Sequence, residues 1–274
     1  MYFTKNDTTQ HCGQAYATVI ADSIYNGSRI TTLELLYPRY IHSELMTHRA
    51  FSRNASSSRA TPISVLISDA RNPVFFDEVG INKPGMQSTE QIAPDQMEAF
   101  RNDWVALANY VADWVQAASD KYNIHKQVLN RVLEPFTNIR VLVTATDWDN
   151  FFKLRLDAAA QPEMRNLALA MKNAIAVSQP VERNRHTPYA DDAAASVPDR
   201  AEVISVARCA RVSYARLDGR DDCIDDDIRL FNVLEKAGHL SPFEHVAVAM
   251  NGRHANLSGW CSLRQERAKV NDGI

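Results

Sequence analysis

The chain has 274 residues, of which 45% are hydrophobic and 23% charged, and its formal net charge is −3. This composition is typical of a globular protein with one large domain or two smaller ones, and it excludes a disordered or collagen-like chain. A slightly acidic chain also lacks the basic surplus of a general nucleic-acid binder, so we expect no nucleic-acid partner.

The first half of the chain predicts a sheet followed by a long helix. Residues 15–45 are rich in Val, Ile, Thr and Leu and contain Asn26-Gly27, the usual signal for a tight hairpin turn. Residues 70–95 are punctuated by Pro and Gly and predict a long excursion. Pro94 then opens a helix whose stripe of Met97, Phe100, Trp104, Leu107, Val111, Trp114 and Ala118 we expect to be buried, in the core or in an oligomer contact.

The second half predicts more helices than strands. Helices are expected over His125–Phe136, Pro162–Val177 and Asp225–Ala237, the last ended by Gly238. Residues 201–215 are strand-like before becoming helical near ARCAR, and residues 245–250 alternate as a strand.

The irregular order of strands and helices favours a single α+β domain over residues 1–274, with a central, mostly antiparallel sheet and flanking helices. We divide it into four parts: a sheet with an Arg/Ser-rich stretch (1–70), a helical segment (94–177), a linker or loop (178–200) and a final segment (201–274).

Targeting signals are not found. The four cysteines are scattered, as in cytosolic proteins, the first residues lack an apolar signal-peptide core, and no apolar run has the roughly 18 residues of a membrane span. We therefore predict a cytoplasmic protein without a membrane partner.

The basic residues comprise 22 arginines and 8 lysines, and three of those arginines lie among the serines of residues 49–59. Guanidinium groups, hydroxyls and backbone N–H groups together can bind a phosphate. No glycine-rich phosphate loop is present. A solvated Arg/Ser-rich loop is an equally good interpretation of the composition alone.

Two further polar clusters stand out. Residues 238–245 (GHLSPFEH) contain two histidines, a serine and a glutamate, but adjacent Glu-His side chains diverge on a strand, so we predict no metal site. Asn150 and Arg155 are five residues apart, which predicts a bend between them. A zinc deaminase lacks its second motif and a serine hydrolase its nucleophile elbow, whereas a cysteine nucleophile remains open.

Five motifs together resemble those of flavin-dependent thymidylate synthases. They are HRxxSxNxxSxR at 48–59, NRxxxP at 130–135, NFFxLR with AQxE at 150–163, ARVSY at 210–214 and GHxSPFEH at 238–245. In that family the last two precede the first, so this chain resembles a circularly permuted member. Permutation is tolerated where native termini are close together at the surface.

The resemblance implies a nucleotide site. Ser57 and Arg59 would bind the phosphate of deoxyuridine monophosphate (dUMP), and Arg131 and Arg155 would also bind the nucleotide. Glu44 stands where the family usually has a nucleotide-binding glutamine. Arg155 is the residue we expect to act in catalysis, by stabilising negative charge on the uracil carbonyl.

The resemblance also implies a flavin site lined by His48, Arg49, Asn150, Ser213, His239, Ser241 and Glu244. Thr47 and Ala55 depart from the family signature, where an arginine and a glutamate are usual. Gln265 is a candidate to replace the glutamine missing at position 44.

The implied activity is FAD-dependent reductive methylation of dUMP to dTMP, with methylene-tetrahydrofolate and NADPH as co-substrates, in a homotetramer whose subunits share active sites. The departures at Thr47 and Ala55 keep a second reaction open, C5 hydroxymethylation of a pyrimidine deoxynucleotide. A flavin- or nucleotide-binding protein without turnover is the third alternative.

Overall fold

The computed structural model describes residues 4–86, 88, 90–190, 200–213 and 223–271. Within them a six-stranded sheet has the order β1-β2-β3-β5-β4, and β6 pairs with β2. All of its pairings are antiparallel except that of β6. The strands are β1 (Gln10–Cys12), β2 (Ala15–Tyr25), β3 (Ser28–Pro38), β4 (Ser52–Ala55), β5 (Asn138–Ala145) and β6 (Val181–Glu182).

The predicted hairpin is confirmed. β2 and β3 pair from Tyr25–Ser28 onward, and Asn26 and Gly27 both adopt positive φ, at 47° and 78°. Two consecutive positive φ angles give the type I′ turn, whose twist matches that of the strands it joins. The predicted α+β class with a mostly antiparallel central sheet is confirmed as well.

The helices lie on both faces of this sheet and at its ends. Short 3₁₀ helices cover Arg39–Ile41, Glu134–Phe136 and Pro242–Glu244. The α-helices are α1 (His42–Leu45), α2 (Ile63–Ala70), α3 (Pro94–Tyr122), α4 (Lys126–Leu133), α5 (Asp149–Arg155), α6 (Pro162–Val177), α7 (Ala201–Ala210), α8 (Ile224–Lys236) and α9 (Leu263–Asn271).

Alternation along β5 gives the sheet two different faces. Ile139, Val141 and Val143 join the main hydrophobic core under α6, whereas Leu142 packs against Cys209 of α7. Because side chains alternate along a strand, Arg140 and Thr144 share the α7 face with Leu142. Buried polar groups therefore concentrate on that face of the sheet.

The strand predicted at the start of 201–215 is wrong, because α7 is helical from Ala201. Val206 packs with Phe231 of α8, and Cys209 packs on the sheet, so α7 is buried on more than one side. A helix buried in this way has the continuous apolar run that is also typical of a buried strand.

The stripe on α3 is only partly buried. The small residues Ala108, Ala112 and Val115 are fully buried against α2 and α4. Leu107 and Trp114 instead remain 48% and 49% exposed in the single chain. The small side chains allow the neighbouring helices to approach α3, and the large ones form an outward apolar face.

The later segments contribute strands that composition did not indicate. The segment predicted to be helical, 94–177, supplies β5 in the interior of the sheet, and the predicted linker supplies β6 and β7 (Arg185–His186). β7 pairs with β8 (Ala247–His254), which pairs with β9 (Leu257–Ser262). No helix in the described part of the chain is long and apolar enough to cross a membrane.

Candidate active site

The Arg/Ser-rich stretch begins as a tight loop that is closed by one of its own arginines. After α1, the backbone N–H of His48 donates to the Leu45 carbonyl (3.2 Å). Arg53 Nη1 then donates to the carbonyls of Met46 (2.6 Å) and His48 (3.1 Å). Arg53, for which the sequence suggested no ligand, therefore binds the loop that carries His48.

His48 and Glu44 both bind Arg155. Arg155 Nε donates to His48 Nε2 (2.9 Å), and Nη1 donates to Glu44 Oε2 (3.0 Å). The ring of His48 stacks edge-on against Phe151, with 4.8 Å between ring centroids. Burial, followed by the charges of Arg155 and Arg53, lowers the pKa of His48, so the neutral ring is favoured and can accept the Arg155 hydrogen bond.

The bend predicted between Asn150 and Arg155 is wrong, because both residues lie on the continuous helix α5. Five residues turn a helix by about 140° beyond one full turn, yet both side chains line the same cavity. The long Arg155 side chain compensates for the difference in direction by reaching across to His48.

Two cavities meet at Arg155. The first, of about 260 Å³, is lined by His48, Arg49, Asn150 and the rings of Phe51 and Phe151. The second, of about 420 Å³, lies toward Glu78 and Gln91 and includes Glu44 and Gln161 in its lining. Glu44, His48, Arg49, Asn150 and Arg155, predicted from distant motifs, are thus brought together.

A second group of polar residues lies beside the predicted phosphate ligands Ser57 and Arg59 in the chain. Glu134 is its centre: Oε1 accepts hydrogen bonds from Ser58 Oγ (2.6 Å) and from Arg131 Nη1 (2.9 Å). Arg59 is exposed and makes no hydrogen bond or ion pair to the part of the chain that the structure describes. Arg131 has a 57% exposed side chain, so both guanidinium groups face solvent.

β5 separates the two groups. Ser56, beside Ser57, donates its N–H to the Arg140 carbonyl near the start of β5 (2.8 Å), whereas His48 contacts Phe151 beyond the end of that strand. From Arg140 to Ala145 an antiparallel strand extends about 17 Å. The two groups therefore lie at opposite ends of β5.

Ser213 fastens α7 to the edge strand β4. Its hydroxyl lies 2.9 Å from Asn54 Oδ1 and 2.7 Å from the Ala55 carbonyl, and Asn54 Nδ2 donates to the Cys209 carbonyl (2.8 Å). The ARVS segment is therefore held directly behind the signature strand. The predicted contact of Ser213 with a flavin remains a prediction.

The GHxSPFEH segment lies at the other end of β4. His239 and Ser241 are exposed, and Glu244 pairs with Arg264. His245 is fully buried, and its Nδ1 is 2.8 Å from Thr144 Oγ1. Within the described residues, no three His, Cys, Asp or Glu side chains are grouped to hold a metal.

The first three of the five motifs lie in the part of the chain that matches a known protein family. The sequence model of the family described as "Thymidylate synthase complementing protein" matches residues 28–181, more than half of the chain. The chain belongs to this family. No curated protein matches it.

Solved structures of two related enzymes match with low similarity. The UMP/dUMP methylase PolB from Streptomyces cacaoi, bound with 5-Br UMP, is 18% identical; the match covers 59% of this chain and 88% of PolB, with a TM-score of 0.47. Thymidylate Synthase X from Helicobacter pylori, with FAD and dUMP, is also 18% identical. That match covers 53% of this chain and 67% of the other, with a TM-score of 0.36.

The family match ends before the ARVSY and GHxSPFEH motifs, so their rearranged order stays a prediction. In this family member the C-terminal residues nevertheless touch the signature. Asn256 Nδ2 donates to the Ala50 carbonyl and to Ser52 Oγ, both at 3.1 Å, and the N–H of Ser258 donates to Thr146 Oγ1 (2.9 Å). No sequence pattern indicated Asn256.

The contacts of Gln265 are with the β8–β9 turn. With its amide oriented to suit both neighbours, it donates to the His254 carbonyl (3.2 Å) and accepts from the Ala255 N–H (3.3 Å). It therefore holds the β8–β9 turn, where Ala255 adopts a positive φ of 53°. The structure gives no support to Gln265 as a replacement for the missing glutamine.

A buried ion pair lies beneath the signature in this family member, and the sequence did not reveal it. Arg140 donates through Nε and Nη2 to the two oxygens of the fully buried Glu34, at 2.7 and 2.9 Å. Tyr189 donates to the same carboxylate. Burial alone would raise the pKa of Glu34, but its hydrogen bonds with Arg140 and the Arg140 charge hold that pKa below its usual value.

The residues at the smaller cavity fit one part of a flavin nucleotide. Arg49 is exposed and makes no ion pair with the described residues, Asn150 offers an amide, and Phe51 and Phe151 offer aromatic surfaces. A cation beside rings suits an anionic aromatic ligand. A cavity of about 260 Å³ is below the usual size of a site for a ligand as large as a dinucleotide.

Proposed function

We propose that this protein is a flavin-dependent enzyme that modifies C5 of a pyrimidine deoxynucleotide, and that its reaction is reductive methylation of dUMP to dTMP. Membership of the thymidylate synthase complementing family supports the flavin-dependent class. The observation that carries the assignment is Arg155, held by His48 and Glu44 between two cavities. When bound and reduced by NADPH, FAD would supply the hydride that turns the one-carbon unit from methylene-tetrahydrofolate into a methyl group at C5 of dUMP.

Arg155 is the proposed catalytic residue. Its Nε and one Nη1 hydrogen are used by His48 and Glu44, and Nη2 makes no hydrogen bond to the described residues. A guanidinium fixed on one side and open on the other is a pre-arranged donor for negative charge on the base carbonyl. No cysteine nucleophile is required for charge stabilisation of this kind.

Ser57, Arg59 and Arg131 are the proposed phosphate ligands. Both guanidinium groups are accessible, and Glu134 orders Arg131 without occupying all of its donors. A planar guanidinium can make two parallel hydrogen bonds to a phosphate. The carboxylate of Glu134 interacts with Ser58, with Arg131 and, at 3.9 Å, with Arg39. These partners reduce the repulsion between Glu134 and an incoming phosphate.

The separation of the two groups supports a site shared between copies of the chain. A nucleoside monophosphate is shorter than the run of β5 between the two groups, so we propose that a phosphate at Arg59 of one copy accompanies a base at Arg155 of another. The exposed face of α3, with Leu107, Tyr110 and Trp114, offers an apolar surface for assembly. We therefore propose the homotetramer with shared active sites that the resemblance implies.

Hydroxymethylation is the second candidate reaction, and it is favoured by the departures in the signature. Thr47 donates its hydroxyl to the Glu44 carbonyl (2.7 Å), so position 47 supplies no cation to a flavin. Ala55 supplies no carboxylate near the nucleotide. A weaker hold on the reduced flavin would favour trapping of the methylene adduct by water.

Flavin absorption tests the proposed class. Purified protein incubated with FAD and desalted should retain the absorption bands of a bound flavin, and dUMP should perturb those bands. Protein that retains no FAD would contradict the proposal. A flavin spectrum that responds to dUMP, without any product, would instead assign the protein to the class of binders without turnover.

A further inference from the structure

The larger cavity at Arg155, which we call the acceptor cleft, has walls that offer hydrogen-bond acceptors. It measures about 420 Å³ and its lining includes Glu44, Glu78, Gln91, Arg155 and Gln161. Arg155 is the only cation among the described residues of that lining. A ligand phosphate in this cleft could therefore bind only the guanidinium of Arg155, which already donates to Glu44. A neutral ligand with N–H groups could donate to several oxygens of the lining.

Most donors of the acceptor cleft are already engaged. Gln161 Nε2 donates to Glu163 Oε2 (3.0 Å), and Gln91 Nε2 donates to Glu78 Oε2 (3.2 Å). The carbonyl oxygens of both amides accept no hydrogen bond from the described residues. Each glutamine therefore has an acceptor left for a ligand.

Glu44 is the strongest of these acceptors. Oε2 accepts from Arg155 at 3.0 Å, while Oε1 accepts nothing from the described part of the chain, and the side chain is 32% exposed. An ionised carboxylate can only accept, whereas the glutamine usual in this family can both donate and accept. Glu44 and Arg155 thus present an acceptor and a donor side by side.

The two pyrimidine bases differ in what they offer to such a pair. Uracil has a carbonyl oxygen at C4, an acceptor that a carboxylate repels, and can meet Glu44 only through N3–H. Cytosine has an amino group at C4, which donates, next to N3, which accepts, and carboxylates read cytosine by accepting from that amino group. An acceptor at Glu44 and a donor at Arg155 match that edge of cytosine, as they also match the N3–H and a neighbouring carbonyl oxygen of uracil.

We propose that Glu44 lets this protein bind cytosine nucleotides: deoxycytidine monophosphate (dCMP) enters the acceptor cleft as well as dUMP, with its 4-amino group donating to Glu44 Oε1. This inference rests on the proposed function, because it assumes that the base lies beside Arg155. It changes the substrate class from uracil nucleotides alone to pyrimidine nucleotides that include 4-amino bases.

Calorimetric titration of the FAD-loaded protein with dUMP and with dCMP tests the proposal. The unaltered protein should bind dCMP no more weakly than dUMP. Glu44→Gln should lower the affinity for dCMP relative to that for dUMP by about tenfold or more, as expected for the loss of one hydrogen bond to the base. Glu44→Asp keeps the carboxylate and should retain dCMP binding, even if Glu44→Gln fails to take up FAD.

Glu90→Gln is the matched control. It removes the same charge from the neighbouring loop, where Glu90 pairs with Lys83, and should leave the ratio of the two affinities unchanged. The amino group of a pterin would suit the same acceptors. If Glu44→Gln weakens the binding of methylene-tetrahydrofolate and leaves the ratio of the dCMP and dUMP affinities unchanged, the cleft binds the folate and the proposal is overturned.

The remaining outcomes separate this inference from the proposed function. Protein that binds dUMP but not dCMP overturns the role of Glu44 and leaves flavin-dependent modification of dUMP intact. FAD-loaded protein that binds neither nucleotide overturns both.

Discussion

Arg155 donates its Nε hydrogen to Nε2 of His48 across 2.9 Å, so the proposed catalytic arginine depends on the protonation state of a histidine. A protonated ring has no lone pair to accept that bond. Arg53 supports the arrangement from behind by binding the backbone at Met46 and His48. The signature loop thus fixes the position of the Arg155 guanidinium, which α5 carries.

Arg155→Lys should lower turnover by about a hundredfold while FAD is still retained. Lysine keeps the charge but cannot hold His48 and Glu44 with a planar group and still offer a fixed donor to the base. Steady-state turnover and the amount of bound flavin measure the effect. Arg71→Lys, at a surface pair with Asp113, is the control, and wild-type turnover in Arg155→Lys would exclude the proposed role.

Arg59→Ala should weaken dUMP binding by about 1.5–3 kcal/mol, because one charge-assisted hydrogen bond to the phosphate is lost. The fold should be unaffected, since Arg59 makes no hydrogen bond or ion pair to the rest of the described chain. Calorimetric titration compares this variant with Arg71→Ala. An unchanged dissociation constant for dUMP would show that the signature has been misassigned.

The protein should lose stability as the pH falls below 6.5. Burial lowers the pKa of His245 to about 3, and burial together with the Arg183 charge does the same to His186. The unfolded chain binds protons at these histidines from its ordinary pKa near 6.5, so the folded state is favoured above that pH and loses its advantage between 6.5 and 3.

Each histidine that is protonated only in the unfolded chain changes the free energy of unfolding by about 1.4 kcal/mol per pH unit across that window. Burial also lowers the pKa of His42 to about 4, so urea denaturation between pH 5.5 and 6.5 should show the free energy of unfolding rising with pH with a slope of about two protons or more. A flat profile would contradict the buried, neutral histidines.

Glu34→Gln should destabilise the fold by about 3–5 kcal/mol, since it removes one charge of a buried pair and leaves Arg140 without its counterion. Glu34 is fully buried on β3, and Arg140 of the neighbouring strand β5 binds both of its oxygens. The shift of the urea midpoint measures this cost. A midpoint close to that of the unaltered protein would show that the ion pair contributes little.

Local signals predicted the parts of the fold that depend on local chemistry. Asn26-Gly27 specifies its turn through two positive φ angles, and Pro94 and Pro162 each open a helix at its first position. α7 was misjudged at its start because burial on more than one side hides the helical period. The small residues that pack α3 were overlooked because the larger apolar residues dominate its pattern.

The site was predicted in its residue types more fully than in its geometry. The motifs identified His48, Asn150 and Arg155, which the structure brings together. They did not identify the hydrogen bonds of Arg53 to the loop carbonyls or the pairing of Arg140 with Glu34, since no local sequence spacing indicates either contact. Arg29 with Asp22, and Arg208 and Arg211 with Asp227, likewise bind carboxylates. Much of the arginine excess is therefore structural.

The most direct test of the central claim is mass analysis of the nucleotide after incubation of FAD-loaded protein with dUMP, methylene-tetrahydrofolate and NADPH. We predict a product that has gained a methyl group at C5. A product that has gained a hydroxymethyl group, or dUMP recovered unchanged, would contradict the proposed methylation.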